Sequence, residues 1–184
     1  MTDDVATSSL PDVISGPSLD LVLVSVEQLL ARHASDGPIP LGYADPHDVL
    51  GPDDSPLHFR AAQVIEDARV NPWLIRIAVL RQSGEIVGLI NFHAPPDERG
   101  MVEIGYRVHP NHRQRGYARE MATTMWTHVA ARPDVEWLRA TVSPGNAASI
   151  ALIEGAGLVH VGEQDDPEDG LELIYEIAAA DYAG

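Results

Sequence analysis

Apolar and polar positions along the chain change their period several times, and each change marks an element. The stretch "LDLVLVSVEQLLARH" alternates as a strand does until Ser25, a favoured helix cap, opens a short helix carrying Val26, Leu29 and Leu30. In "PLHFRAAQVIEDARV" the spacing is helical, with Pro56 near the first turn and apolar positions at Phe59, Ala62, Ile65 and Ala68. Between these two lies "ASDGPIPLGYADPHDVLGPDDSP", dense in Pro, Gly and Asp. A connection of that length inside a compact domain is usually functional or disordered.

Three strand-like runs follow, "WLIRIAVLR", "EIVGLINFH" and "MVEIGYRV", joined by the tight "QSG" and the turn-rich "APPDERG" as in an antiparallel meander. Helical spacing then returns at Ala118, Met121, Ala122, Met125 and Val129, predicting a helix over 116–131 with one buried face. "VEWLRATV" reads as a strand and "NAASIALIEGAG" as a helix closed by glycine. "LVHVGE" and "LELIYEIA" make two last strands around the acidic loop "QDDPEDG". The pattern is that of a mixed α/β sheet. Residues 1–17 have no periodicity and read as a flexible tail, leaving 18–184 as one domain.

Composition narrows the function. With 184 residues and 45% apolar content the chain can bury one sizeable core. Neither an apolar run of about 18 residues nor a secretion-type h-region is present, so a cytoplasmic protein is expected. There is no cysteine, hence no thiolate nucleophile and no thiolate metal site. Lysine is also absent, which excludes a Schiff-base lysine and a P-loop lysine. A formal net charge of -16 argues against nucleic acid or an anionic membrane as partner, and it suits a cationic substrate. No spacing along the chain suggests a metal site.

Against that acidity, "VHPNHRQRGYARE" gathers Arg113, Arg115 and Arg119 with His109, His112 and Gly116 at one strand-to-helix corner. A helix start leaves backbone N–H groups unpaired and carries about half a positive charge, so it suits a phosphorylated ligand once side-chain bulk permits approach. Gly116 supplies the access. The arginines can add charge-assisted hydrogen bonds, and their planar fork matches a pyrophosphate.

The run Arg113, Gln114, Arg115, Gly116, Tyr117, Ala118 resembles the acetyl-CoA signature of the GCN5-related N-acetyltransferase (GNAT) superfamily, which is Gln or Arg, two residues, Gly, one residue, then Gly or Ala. "SPGNAASIALIEGAGLVHVGE" resembles the second motif of that family, and the order of elements agrees over about residues 19–178. Within the family the chain looks closest to the ribosomal-protein N-terminal acetyltransferases of the RimJ/RimL type. The resemblance implies a mixed, mostly antiparallel sheet of six to seven strands flanked by about four helices. It also implies acetyl-CoA as co-substrate without a metal. The backbone of Val108 and the turn from Arg113 to Ala118, with Gln114, Arg115 and Tyr117 between, would hold the pantetheine and pyrophosphate, and Asn146 would face the pantetheine arm. Asn146 is equally a good helix cap and could do both.

Many family members carry a tyrosine seven residues after that asparagine, able to protonate the departing thiolate. Here the position is Ile153, which cannot. In the ribosomal-protein subgroup a serine three residues after the asparagine stands beside the sulfur, and this chain has Ser149 there. A base acting through water is implied near the strand "MVEIGYRV", making Glu103 the candidate. Strand alternation puts Glu103, Gly105 and Arg107 on one face, so Glu103 is either that base or half of an ion pair with Arg107. His93, at a strand end, could line the substrate cleft, although a lone strand-end histidine is more often a hydrogen-bonded structural residue. The resulting expectation is a direct N-acetyltransferase acting on a peptide or small amine, with a homodimer compatible. The competing readings are a catalytically silent acyl-CoA-binding module and a nucleotide-binding regulatory domain; the latter lacks the glycine spacing of a dinucleotide fold. The acidic connection, with Asp36, Asp45, Asp48, Asp53 and Asp54, suggests a cationic acceptor.

Overall fold

The structure is a computed structural model, and it describes residues 10–35, 37–51, 56–167 and 170–184. Among these, eight strands form one sheet: β1 (Val13–Ser15), β2 (Leu19–Leu23), β3 (Arg76–Leu80), β4 (Ile86–Phe92), β5 (Met101–Val108), β6 (Trp137–Val142), β7 (Val159–Asp166) and β8 (Gly170–Ala178). Four α-helices accompany them: α1 (Val26–His33), α2 (Leu57–Glu66), α3 (Tyr117–Ala130) and α4 (Ala147–Gly155). The strand order is β1-β2-β3-β4-β5-β6-β8-β7, antiparallel except between β5 and β6. The expected mixed sheet is present with one strand more than anticipated.

That extra strand corrects the expected tail. Residues 13–15 pair with β2, and Ile14 is buried opposite Leu21. Three residues with one inward side chain are too short to show a period in sequence. Residues 1–9 of the expected tail lie outside the described residues.

Helices cover both faces of the sheet. One core contains Leu29, Leu57, Val64, Ile77 and Leu89 under α1 and α2; the other contains Ile90, Ile104, Met125, Trp126 and Ile153 under α3 and α4. Strand β4, covered on both sides, is buried at all seven positions, which explains its unbroken apolar sequence. Of the expected face of α3, Met121, Ala122, Met125 and Val129 are buried and Ala118 is half-buried, with Trp126 added. For α2 the expected face is wrong. Leu57, Arg60, Ala61 and Val64 point inward, while Phe59 and Ile65 are 57% and 65% exposed. Both stripes are apolar in sequence, and Arg60 helps fix the choice by donating to the carbonyl of His93 at 2.8 Å.

The long connection before α2 is fastened by buried Arg32. Its guanidinium donates to the carbonyls of Leu50 (3.2 Å), Ser35 (2.7 Å) and Gly37 (3.0 Å) and pairs with Asp48 at 2.9 Å. Asp45 accepts from the N–H of Val49. Two of the acids expected to steer a cation are thus engaged in shaping the connection, and Asp36, Asp53 and Asp54 lie outside the described residues. Among the described residues no helix is long and apolar enough to cross a membrane.

One feature of the sheet positions the site. The parallel pairing of β5 with β6 runs from Met101 opposite Trp137 to Ile104 opposite Ala140 and stops there. Beyond it β5 continues to Val108, paired only on its β4 side. The two strands part, and a cleft opens between their C-terminal ends.

Candidate active site

Val108 ends β5, a 3₁₀ turn spans Pro110–His112, and α3 begins after Gly116. The reversal needs two residues in the left-handed region, Gln114 (φ 61°) and Gly116 (φ 84°). A Cβ at Gly116 would meet nothing within 4 Å, so the demand for glycine there is conformational. No side chain caps the start of α3, which leaves its first N–H groups available to an anion. Glu120, in the first turn, is committed to Ser18 and Leu19 at 2.6–2.7 Å and so ties the helix to β2.

A cavity of about 580 Å³ lies against this corner. Val108, Arg113, Gln114, Gly116, Tyr117 and Ala118 line it from one side, and Asn146, which precedes α4, and Ser149 within it from the other. Arg113 also donates from Nε to the carbonyl of Val108 at 3.1 Å, so it helps shape the turn. Arg115 is exposed and outside the lining, while Arg119 belongs to it. Asn146 caps α4, its Oδ1 accepting the N–H of Ser149 at 3.2 Å, and it also lines the cavity.

A second cavity, of about 460 Å³, occupies the cleft between β5 and β6. His93, Gly105, Thr141 and Glu172 are among its walls. Glu103 is not; its side chain is only 14% exposed and sits behind this wall. Thr141 donates to its Oε1 at 2.7 Å, His93 Nδ1 lies 3.5 Å from the same oxygen, and Arg139 reaches Oε2 at 4.0 Å. The partner weighed in sequence, Arg107, instead donates to the carbonyl of Val49 at 2.8 Å.

His93 is held from several directions. Its N–H donates to the Glu103 carbonyl, and its own carbonyl accepts from Arg60 and Gln63, each at 2.8 Å. The ring lies over Gly105, where an added Cβ would come within 3.0 Å of Nε2. Burial lowers the pKa of His93 and Arg60 lowers it further, while Glu103 opposes both. The imidazole is therefore neutral near pH 7, and with Nδ1 turned to the carboxylate the free acceptor is Nε2. Arg60 feels the same burial, its own pKa falling to about 10.

The cavities meet. Tyr106, Asn146 and Ser149 line both. The Tyr106 oxygen is buried and out of hydrogen-bonding alignment with any partner; burial raises its pKa, and the neighbouring Ser149 side chain draws it back. Ile153 is buried at the second cavity and contributes no proton donor.

Residues 43–159, more than half of the chain, match the family described as acetyltransferase (GNAT) domain. The chain belongs to the GNAT family of acetyltransferases. This GNAT chain is 33% identical over 87 residues to the uncharacterized N-acetyltransferase YjdG of Bacillus subtilis (strain 168), a match covering 47% of this chain and half of that relative's length. In fold it is similar to an acetyltransferase (GNAT family) from Bacillus anthracis, with a TM-score of 0.64 at 20% identity over 92% of this chain and 99% of that one. It is also similar to RimL, a ribosomal L7/L12 alpha-N-protein acetyltransferase in complex with coenzyme A, with a TM-score of 0.62 at 16% identity over 90% and 97%. At these identities the likeness is one of fold.

The corner fits the co-substrate of a GNAT protein: an uncapped helix start, a left-handed glycine and a cavity continuing along α4 suit a pyrophosphate with a long arm. Sequence reasoning offered His93 as a cleft residue but favoured a structural role for it, and it missed Tyr106 as the neighbour of Ser149. The signal for Tyr106 was its place in "EIGYRV", two residues from the strand's end; nothing in the sequence marked His93 beyond its strand-end position.

Proposed function

We propose that this protein is an acetyl-CoA-dependent N-acetyltransferase that moves an acetyl group directly to a primary amine. One observation carries the reading: the cavity at the anion corner and the cavity holding His93 share a wall at Tyr106, Asn146 and Ser149. Two substrates seated in them would meet where those side chains converge. The corner residues Val108, Arg113, Gln114, Gly116, Tyr117 and Ala118, with Asn146, would hold the co-substrate. Acetyl-CoA supplies the thioester: the amine nitrogen gains the acetyl carbon as the C–S bond breaks and CoA leaves as a thiolate.

The chain's own work is mostly with protons. An amine arrives protonated at neutral pH and cannot attack until it loses that proton. His93 Nε2 takes it, directly or through one water, and Glu103 behind Nδ1 favours the imidazolium so formed. This moves the role of base one residue out from Glu103, which becomes a positioning residue. On the other side a thiolate, with a conjugate-acid pKa near 8.5, needs only a hydrogen bond to leave. Ser149 can give it, backed by the Tyr106 phenol, which its raised pKa keeps protonated. The acceptor fits the amine class expected from sequence, and a peptide N-terminus is one member, as for RimL.

Thiol release from acetyl-CoA across peptides, polyamines, aminoglycosides and small monoamines tests the reading. Release stimulated by at least one amine, with the acetyl group recovered on nitrogen, is expected. Tight acetyl-CoA binding without stimulated release by any class would favour the silent binding module instead.

A further inference from the structure

His47, Glu85 and His112 come from three segments: the connection before α2, the turn between β3 and β4, and the 3₁₀ turn after β5. One ligand-capable atom of each lies within 4.8 Å of the other two. Backbone pairing holds the segments together. Ala44 bridges to Glu85, with the N–H of Ile86 donating to Ala44 at 2.8 Å, and the N–H of His109 donates to Val87 at 2.9 Å.

His112 gives the cluster its meaning. It is 7% exposed, and neither ring nitrogen has a hydrogen-bond partner. Nε2 lies 3.1 Å from Glu85 Oε1, close enough for an ion pair but out of alignment for a hydrogen bond. Buried polar nitrogens are nearly always satisfied, so a buried imidazole missing both partners calls for an explanation. The 3.1 Å separation is close to the ~3.4 Å between two ligands that each sit 2.0–2.1 Å from a tetrahedral ion. His47 is kept at the cluster by stacking on His109, with ring centroids 3.7 Å apart and planes 3° off parallel. The Nδ1 of His109 faces the N–H of Asn111 at 3.3 Å. Arg107 and Arg113, the cations that act on His109, donate to the carbonyls of Val49 and Val108.

We propose that His47, Glu85 and His112 bind a divalent transition-metal ion of the Zn²⁺ class, with water completing the coordination. Two imidazoles and one carboxylate suit Zn²⁺, Ni²⁺ or Cu²⁺ and are a poor match for Mg²⁺ or Ca²⁺, which take oxygen. The ion would clamp the β5–α3 corner to the β3–β4 turn, a structural role separate from the proton transfers at His93. The three ligands lie 38 and 27 residues apart in the chain, which is why no sequence spacing suggests the site.

Calorimetric titration of the chelator-treated full chain with Zn²⁺ tests this. One saturable site per chain is expected, with a Tm that rises as Zn²⁺ is added and millimolar Mg²⁺ unable to compete. His47→Ala and Glu85→Gln, at positions only partly buried, should each weaken Zn²⁺ binding by about tenfold or more and leave the metal-free Tm in place. Absence of saturable uptake would overturn the proposal. So would full affinity in both variants, including the case in which binding is lost in His33→Ala, whose Nδ1 lies 3.1 Å from that of His58.

Discussion

Of the two cavities that meet at Tyr106, Asn146 and Ser149, the first takes most of its wall from the continuous run Tyr106 to Arg119. The second gathers His93 from the end of β4, Thr141 from β6, Ser149 from α4 and Glu172 from β8. The first offers mostly backbone, with the Arg113 guanidinium beside it: a helix start, a left-handed glycine and a strand edge that has no partner among the described residues. The second offers side chains, among them His93, whose proton affinity is set by burial and by its charged neighbours. A ligand held by backbone asks little of residue identity beyond bulk and conformation, whereas proton transfer asks for particular groups. Substitutions in the two should therefore fail differently, the first in affinity and the second in rate.

The sharpest separation is expected at His93. In His93→Ala, kcat/KM should fall by about 10²- to 10⁴-fold, the usual share of a general base, while acetyl-CoA affinity measured by calorimetry stays put. The pH profile adds a readout that misfolding would not give. Because burial holds the His93 pKa below the ordinary value, the neutral, active form should persist through neutrality and be lost only as pH falls through that lowered pKa. His93→Ala should erase this acidic limb. Glu103→Gln removes the larger of the two influences that raise the pKa, Asp166 being the other, so the limb should move to lower pH, with a lower plateau because the carboxylate beside Nδ1 is gone. A limb unmoved in both variants would return the proton to bulk water or another group.

At the other cavity the effect should be one of affinity. Arg113→Ala removes a charged donor from the Val108 carbonyl and from the cavity wall, a change worth roughly 1.5 to 3 kcal/mol, or about 10- to 100-fold in the Kd of acetyl-CoA. Gly116→Val should weaken binding as well, since a β-branched residue at φ 84° strains the turn that presents the helix start. The acidic limb should be unchanged in both. Unaltered acetyl-CoA affinity in folded samples of the two would detach the corner from the co-substrate.

The same contrast explains what could be read from sequence. The corner was legible because its parts are consecutive: Arg113, Gly116 and Ala118 declare a strand-to-helix turn with phosphate access on their own. The mostly antiparallel sheet was legible because its periods are local, and β1 was not, because three residues hold too little of a period. For α2 two apolar stripes compete, and tertiary partners of Arg60 select between them. Glu103 was visible as a costly acid in an apolar strand, but its surroundings were not. Thr141, Arg139 and His93 reach it from β6 and β4, which no spacing along the chain reveals.

At the junction smaller effects should appear. Ser149→Ala should lower kcat by a few-fold to about tenfold, and Tyr106→Phe by a similar factor, because a thiolate is a tolerable leaving group without full protonation. If the two hydroxyls act in series, the double variant should fall no further than the worse single one. Full additivity would make them independent.

The smallest effect concerns the charge of the acceptor. Asp45 and Asp48 are spent on Val49 and Arg32, so steering by the connection before α2 is weaker than its composition suggested. The second cavity keeps an acid of its own in Glu172, held by Gln164 at 2.9 Å, and among the described residues no arginine lines it. A carboxylate at the mouth of a cleft raises the local concentration of a cation, over a range that salt cuts to about 10 Å at 0.1 M. Glu172→Gln should thus raise KM for a polyamine or a basic peptide by about two- to fivefold, with kcat nearly unchanged because the acid touches binding and not proton transfer. For a monoamine the change should be smaller, and salt at about 0.5 M should erase the difference between wild type and variant for both acceptors. Equal losses for charged and neutral acceptors, persisting at high salt, would mean that Glu172 shapes the cleft through Gln164 and does not select its occupant.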